Sequence, residues 1–231
     1  MKREEILRML VDLFLPNRCP LCGKVIHWSI DYCEECYKAL PETGREICRG
    51  CGNDKCSCDR NHFAFIRCYP AFYYEGTARS AVINLKHNKN MIFPQIAAEK
   101  IVRDMENDIY IFKVDCIVPV PMTKSKLRKR GFNQAELIAQ ALSALLDAPV
   151  ENDVIFKKRS FSEQHTLSSS SRRRNAEKIY LKTDSQAVKG KKVLLCDDVT
   201  TTGSTLQKCT EVLLEMGAEA VITAAAATTK K

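Results

Sequence analysis

Residues 193–206, VLLCDDVTTTGSTL, decide how this chain is read. Apolar residues up to Cys196 have the composition of a strand buried on both faces, and two acids, a run of hydroxyls and one glycine then open a helix. At the strand end Asp197 and Asp198 offer acceptors for two neighbouring hydroxyls of a sugar ring. Thr201, Thr202, Gly203, Ser204 and Thr205 present backbone N–H groups and hydroxyls to a phosphate. A helix N-terminus suits that anion, because its first amides lack carbonyl partners and the dipole is positive there. Gly203 has no Cβ and lets the backbone approach the oxygens closely. A plain helix cap at Asp198 or Thr200 would require neither the two acids nor so many hydroxyls in this order. The stretch also differs from the common phosphate loops, since the chain has no G-x-x-x-x-G-K and no G-x-G-x-x-G.

Outward from this motif the pattern is strand and helix in alternation. Residues 66–74 carry the aromatic and branched content of a strand, and 77–85 read as a helix. A polar corner, KHNKN at 86–90, precedes a helix over 93–105. The run 116–120, closed by Pro121, fits a buried parallel strand, and 134–146 has apolar residues at helical spacing. A helix over 205–216, with Gly217 at its C-terminal end, and a last strand over 220–226 complete the series. Alternation of this kind predicts a parallel α/β sheet with ligands at the carboxyl ends of its strands.

Two polar segments complete the candidate site. PMTKSKLRKRGF at 121–132 reads as a basic loop, in which Arg130, Lys124, Lys126 and Arg128 can bind a diphosphate and Gly131 can bring the backbone close. The same bases would equally serve as a solvated face or a nucleic-acid patch. RSFSEQHTLSSSSRRR at 159–174 is too polar to pack and reads as a functional loop or a disordered linker, with Gln164, Arg172 and the adjoining Asn175 as the residues to test and His165 as a weaker one. A resemblance to type I phosphoribosyltransferases, carried by 193–205, implies a loop that closes over the site.

The N-terminal quarter is different in kind. The chain has twelve cysteines, of which eight lie within residues 19–58. Cys19, Cys22, Cys33 and Cys36 form two C-x-x-C knuckles spaced to converge on one Zn²⁺. Cys48, Cys51, Cys56 and Cys58 form a less regular second set, so the segment admits one zinc or two, with pairing open. Sulfur fills every ligand position, which assigns the metal a structural role. His27 and His62 lie nearby and read as ordinary polar side chains. Cys68, Cys116, Cys196 and Cys209 stand alone and read as small core residues. Ahead of the knuckles, Leu7, Leu10, Val11 and Phe14 share one helical face that ends at Pro16.

The division expected is therefore 1–60, an N-terminal helix with a zinc-binding module, and 61–231, an α/β domain. The formal charge of +8 is uneven, concentrated at 124–130 and 172–174, and such clusters attract phosphates. Acids interrupt the N-terminal apolar run and no small-residue cleavage site follows it, so no leader is expected. No run reaches about eighteen apolar residues, so no membrane span is expected. Cysteines spaced as metal ligands suggest a reducing, cytoplasmic setting.

The sequence at 193–205 resembles the signature of type I phosphoribosyltransferases: apolar residues, two acids, two variable positions, then Thr-Thr-Gly-x-Thr. Taken with the knuckles, the PVP strand end at 119–121, RGFNQAELIA at 130–139 and the serine-rich loop, the whole chain resembles the ComF family. That resemblance implies a type I phosphoribosyltransferase-like parallel sheet flanked by helices behind a small Cys-rich zinc module. It implies binding of phosphoribosyl pyrophosphate (PRPP) with Mg²⁺: Asp197 and Asp198 would hold the ribose, residues 201–205 the 5′-phosphate, and Arg130 with Gly131 the pyrophosphate. It also implies an association with DNA uptake in natural transformation, with single-stranded DNA and a ComF-type helicase as partners. The rival reading is a non-catalytic single-strand-binding accessory whose PRPP pocket is a sensor or relic. For it, the aromatics Phe63, Phe65, Tyr69, Phe72, Tyr73 and Tyr74 lie near basic residues, as stacking platforms do.

Overall fold

The computed structural model describes residues 16–44, 47–52, 54, 56, 63–109, 112–157, 180–183 and 186–230. The expected N-terminal helix, Cys58, His62, the segment 159–174 with Gln164, His165 and Arg172, and Asn175 after it lie outside the described residues. In chain order the elements are α1 (Glu34–Lys38), β1 (Cys68–Tyr73), α2 (Gly76–Leu85), α3 (Ile92–Ile109), β2 (Cys116–Pro119), α4 (Lys124–Arg130), α5 (Gln134–Leu146), β3 (Ile155–Lys157), β4 (Tyr180–Lys182), β5 (Lys192–Thr200), α6 (Ser204–Glu215) and β6 (Ala220–Thr228).

Four strands form one parallel sheet in the order β1-β6-β5-β2. Their side chains alternate between two cores, as the period of a strand requires. Ile117, Leu194, Cys196, Ile222, Ala224 and Ala226 face α2, α3 and α5. Cys116, Val118, Val193, Leu195 and Val221 face α6 through Leu206, Cys209 and Leu213. Alanine is a weak strand former, yet β6 carries an unbroken Ala224–Ala227 run, because these residues are fully buried and small enough for helices to pack over them. The zinc module shares the first core: Cys19, Leu21 and Leu40 cluster with Tyr69, Phe72 and Phe93.

Two sequence expectations change. The stretch 124–130, expected as a loop, is the helix α4: Thr123 Oγ1 accepts from the Lys126 amide at 3.4 Å, and Gly131 ends the helix at φ +80°. Lysine and arginine are good helix formers, and three of them in the last turn suit the negative end of its dipole. Gly131 thus serves as a helix cap. The strand expected to stop at Cys196 continues to Thr200, since β6 pairs with it as far as Thr200 opposite Thr228. A two-stranded antiparallel ribbon, β3 with β4, was not expected at all.

A buried ion cluster joins the zinc module to α3. Lys100, 4% exposed, donates to both Asp104 oxygens at 2.6 Å and to the Thr43 carbonyl at 3.3 Å, while Arg49 reaches Asp104 at 3.3 Å. Removing one partner of a buried pair strands the other charge, so Asp104→Ala should destabilise the protein by about 3–5 kcal/mol. Urea unfolding would measure this, and a loss under about 1 kcal/mol would contradict the cluster's role.

Candidate functional site

The carboxyl end of β5 opens into a cleft of ≈ 250 Å³. Asp197 and Asp198 line it from the strand, Val120, Pro121 and Met122 from the end of β2, Lys126 and Arg130 from α4, Asn133 and Gln134 from the start of α5, Lys157 from β3, Lys86 from the corner after α2, and Thr205 from α6. Four cations thus face two carboxylates across a small space. Such a cavity fits a ligand carrying both anionic groups and hydroxyls.

Each side chain is placed by local chemistry. Asp197 Oδ1 accepts from the Asp198 amide and Asp198 Oδ1 from the Val199 amide, both at 2.8 Å, which fixes the two carboxylates at the strand end. Burial pushes the Asp197 carboxyl well above its ordinary range, and the neighbouring Asp198 charge pushes the same way, while Lys157 opposes them. Asn133 caps α5 by accepting from the Ala135 amide and ties back to the Val120 carbonyl at 3.0 Å. Arg130 donates to Gln134 Oε1 at 2.9 Å, which steers the guanidinium along the cleft wall. Gln134 is 1% exposed, and its Nε2 finds no acceptor among the described residues. A buried donor without a partner is costly, and a bound acceptor would relieve it.

Beyond Asp198 the chain turns sharply into α6. Gly203 sits at φ +74° as N-cap and has no side chain to cap the helix, although Thr202 Oγ1 accepts from the Ser204 amide at 3.4 Å. Thr201, Thr202 and Ser204 are exposed around it, with Thr202 Oγ1 2.7 Å from Ser204 Oγ. Of the residues singled out from sequence, Asp197, Asp198, Thr205 and Arg130 meet in one cleft, residues 201–204 form the turn beside it, and Gly131 caps α4. Lys126 joins the cleft, whereas Lys124 and Arg128 are exposed on α4. Sequence reasoning did not single out Lys86, Lys157, Asn133 or Gln134 as site residues. Asn133 and Gln134 directly follow the basic segment and could have been found there. Lys157 reaches the site through a bridge to Thr123, which has no short-range signature.

The cysteines of the N-terminal module gather as metal ligands. The Sγ atoms of Cys19, Cys22, Cys33 and Cys36 all lie within 4.8 Å of one another, as do those of Cys48, Cys51 and Cys56. Tetrahedral Zn–S bonds of about 2.3 Å place sulfurs about 3.8 Å apart, and Cys22 Sγ is 3.9 Å from Cys33 Sγ. The donor set therefore fits zinc. At Cys19 burial raises the thiol pKa, but amides of Cys33, Cys22 and Leu21 outweigh it and bring the group down to about 7, poised for thiolate ligation. Elsewhere burial prevails: it raises Cys33 and takes Cys36 to about 12 within the same cluster, and at the isolated thiols Cys68 rises to about 12 and Cys116 to about 11, with Cys196 and Cys209 rising as well, which fits inert core residues. His27 hydrogen-bonds Ser29 instead of joining a cluster.

Comparison with known proteins agrees with this geometry. The phosphoribosyl transferase domain family matches residues 90–231, and the double zinc ribbon domain family matches residues 10–64. Competence protein F of Haemophilus influenzae is 27% identical over 88% of this chain and 81% of its own. DNA utilization protein YhgH of Escherichia coli K12 is 27% identical over 90% of this chain and 96% of its own, and competence protein ComFC of Bacillus subtilis is 33% identical over 49% of this chain and 44% of its own. Among the described residues no helix is long and apolar enough to cross a membrane. A parallel sheet with an acidic pair at its carboxyl edge, two cysteine clusters of zinc-ligand geometry and a matching domain over more than half of its length together mean that the chain belongs to the phosphoribosyl transferase domain family, as a ComF-type member carrying a structural double zinc ribbon.

Proposed function

We propose that this protein binds PRPP with Mg²⁺ in the β5 cleft and serves the use or uptake of DNA. The observation that carries the reading is the composition of the cleft: Asp197 and Asp198 facing Lys86, Lys126, Arg130 and Lys157, with the open N-terminus of α6 alongside. Asp197 and Asp198 hold the ribose hydroxyls, residues 201–205 the 5′-phosphate, and Arg130 with Lys126 and the backbone near Gly131 the diphosphate. The hard carboxylate oxygens of the acidic pair and those of the ligand suit magnesium, which when bound neutralises diphosphate charge. The chain's own contribution is orientation and charge stabilisation at an anomeric carbon that loses pyrophosphate to a nitrogen nucleophile. The names of the H. influenzae, E. coli and B. subtilis relatives, competence and DNA utilization, support the role in DNA use or uptake. A cytoplasmic setting, with single-stranded DNA and a ComF-type helicase as partners, belongs to the same proposal. The division at residues 60 and 61 into ribbon and transferase domains belongs to the same proposal.

Calorimetric titration with PRPP and Mg²⁺, followed by a nucleobase screen for pyrophosphate release, tests it. Heat of binding is expected; a null titration at millimolar ligand would remove the reading.

One observation favours the accessory reading. Residues 124–129 on α4 are exposed and include four cations, Lys124, Lys126, Arg128 and Lys129. Of the six aromatics, Phe65, Tyr69 and Phe72 are buried in the cores and add nothing to it, while Phe63, Tyr73 and Tyr74 are half-buried. If α4 tracks a phosphate backbone, single-strand affinity should fall steeply with salt, and charge-removing changes at Lys124 and Arg128 should lower the log–log slope by roughly 0.7 each. An unchanged slope would dissociate α4 from nucleic acid.

A further inference from the structure

The phosphate turn does not rest on the sheet alone. Gly203 lies against the Phe63 ring, since a Cβ built there would stand 3.2 Å from Phe63 Cε1 and 3.8 Å from Phe65 Cζ. Phe63 stacks on Phe65 with centroids 4.8 Å apart and planes 21° apart. Phe65 is itself buried in the second core with Leu195, Leu206 and Cys209. Between the rings, the Ala64 amide donates at 2.7 Å to Gln207 Oε1 on the first turn of α6, and Gln207 Nε2 donates on to Glu211. A link of three residues thus touches the turn from below by ring contact and holds the helix behind it by a hydrogen bond. Position 203 is constrained twice, by its φ of +74° and by the ring beneath it.

We propose that residues 63–65, at the entry from the zinc ribbon into the sheet, are the pedestal that positions the phosphate turn, with Phe63 and Gln207 as its positioning residues. This rests on the reading of 201–205 as the 5′-phosphate site and extends it to side chains that touch no ligand. A turn whose floor is removed samples other arrangements, and displacement of about 1 Å at such a site can cost up to about a hundredfold in a positioned reaction. The effect should fall on the ligand's affinity and on the order of the turn together.

The test uses the full-length zinc-loaded protein with Phe63→Ala, Phe63→Leu and Gln207→Ala. Hydrogen–deuterium exchange without ligand reads the turn itself: residues 200–206 should exchange about tenfold faster in Phe63→Ala, with 116–119 in β2 unchanged. PRPP–Mg²⁺ titration should show about a tenfold weaker dissociation constant for Phe63→Ala and a smaller loss for Gln207→Ala, with Phe63→Leu recovering part of the affinity. Gln207→Ala removes the hydrogen bond from the Ala64 amide and the one to Glu211 at a half-buried position without opening the core, so it also covers the case in which Phe63→Ala fails to fold. Turn exchange at the wild-type rate in both alanine variants overturns the pedestal, as does wild-type PRPP affinity in both. Faster turn exchange in a protein whose wild type binds no PRPP would leave the pedestal standing and sink the ligand assignment instead.

Discussion

Changing Asp197 and Asp198 together to asparagine is expected to weaken PRPP–Mg²⁺ binding by roughly 10²–10⁴-fold, since each carboxylate is assigned charge-assisted hydrogen bonds worth about 1.5–3 kcal/mol. The same change should leave the protein more stable at neutral pH. Burial and the Asp198 charge hold the Asp197 carboxyl well above its ordinary value of 3.8, so the folded state binds that proton more tightly than the unfolded chain does. Stability from this group is therefore fully present below the ordinary value and is lost as pH rises toward the raised folded one. Asparagine carries no such penalty, and Asp197→Asn should melt higher than the parent at pH 7 but not at pH 3. A double variant that binds PRPP like the parent would remove Asp197 and Asp198 from the site. One that melts lower at pH 7 would show that the two carboxylates are a structural need.

The second large effect is expected at the first zinc knuckle. Cys19→Ser with Cys22→Ser removes two of four sulfur ligands whose metal supplies folding free energy outright. Cys19 and Leu21 are fully buried in the core that also holds Tyr69 and Phe72, so loosening the knuckle opens the sheet's own packing. Losses above about 5 kcal/mol belong to this class, and in a protein of this size each kcal/mol moves the midpoint by about 2–4 °C, which places the expected fall near 10–20 °C. Zinc content should drop by one ion per chain. Melting within about 2 °C of the parent after that loss would mean the ribbon folds independently of the sheet.

Much of this fold was legible because its signals are local. The 134–146 helix was read to the residue from its apolar spacing, and Asn133 caps it where that spacing begins. The acidic pair and hydroxyl turn marked the passage from a strand into a helix through residue order alone. What escaped depends on distant partners. The end of β5 is set by its pairing with β6, and Lys157 arrives through a bridge across more than thirty residues. The basic segment at 124–130 misled because charge was weighed above helix propensity, although Thr123 and Gly131 marked both ends of α4. Lys86 escaped for a related reason: KHNKN looks like an ordinary surface corner until the sheet brings it to the cleft.

The contact between Gly52 and Cys68 bears on how this protein could be re-engineered. A side chain at position 52 would stand 2.7 Å from Cys68 Sγ, while the Gly52 carbonyl accepts from Thr228 at 3.0 Å and the Arg49 carbonyl from the Cys68 amide at 2.7 Å. Ribbon and sheet interlock there like two castings from one mould. Chimeras that exchange the first sixty-odd residues between relatives would have to carry the matching 68 and 228 positions with them, and a cut made only in the sequence between the two halves would leave the seam mismatched.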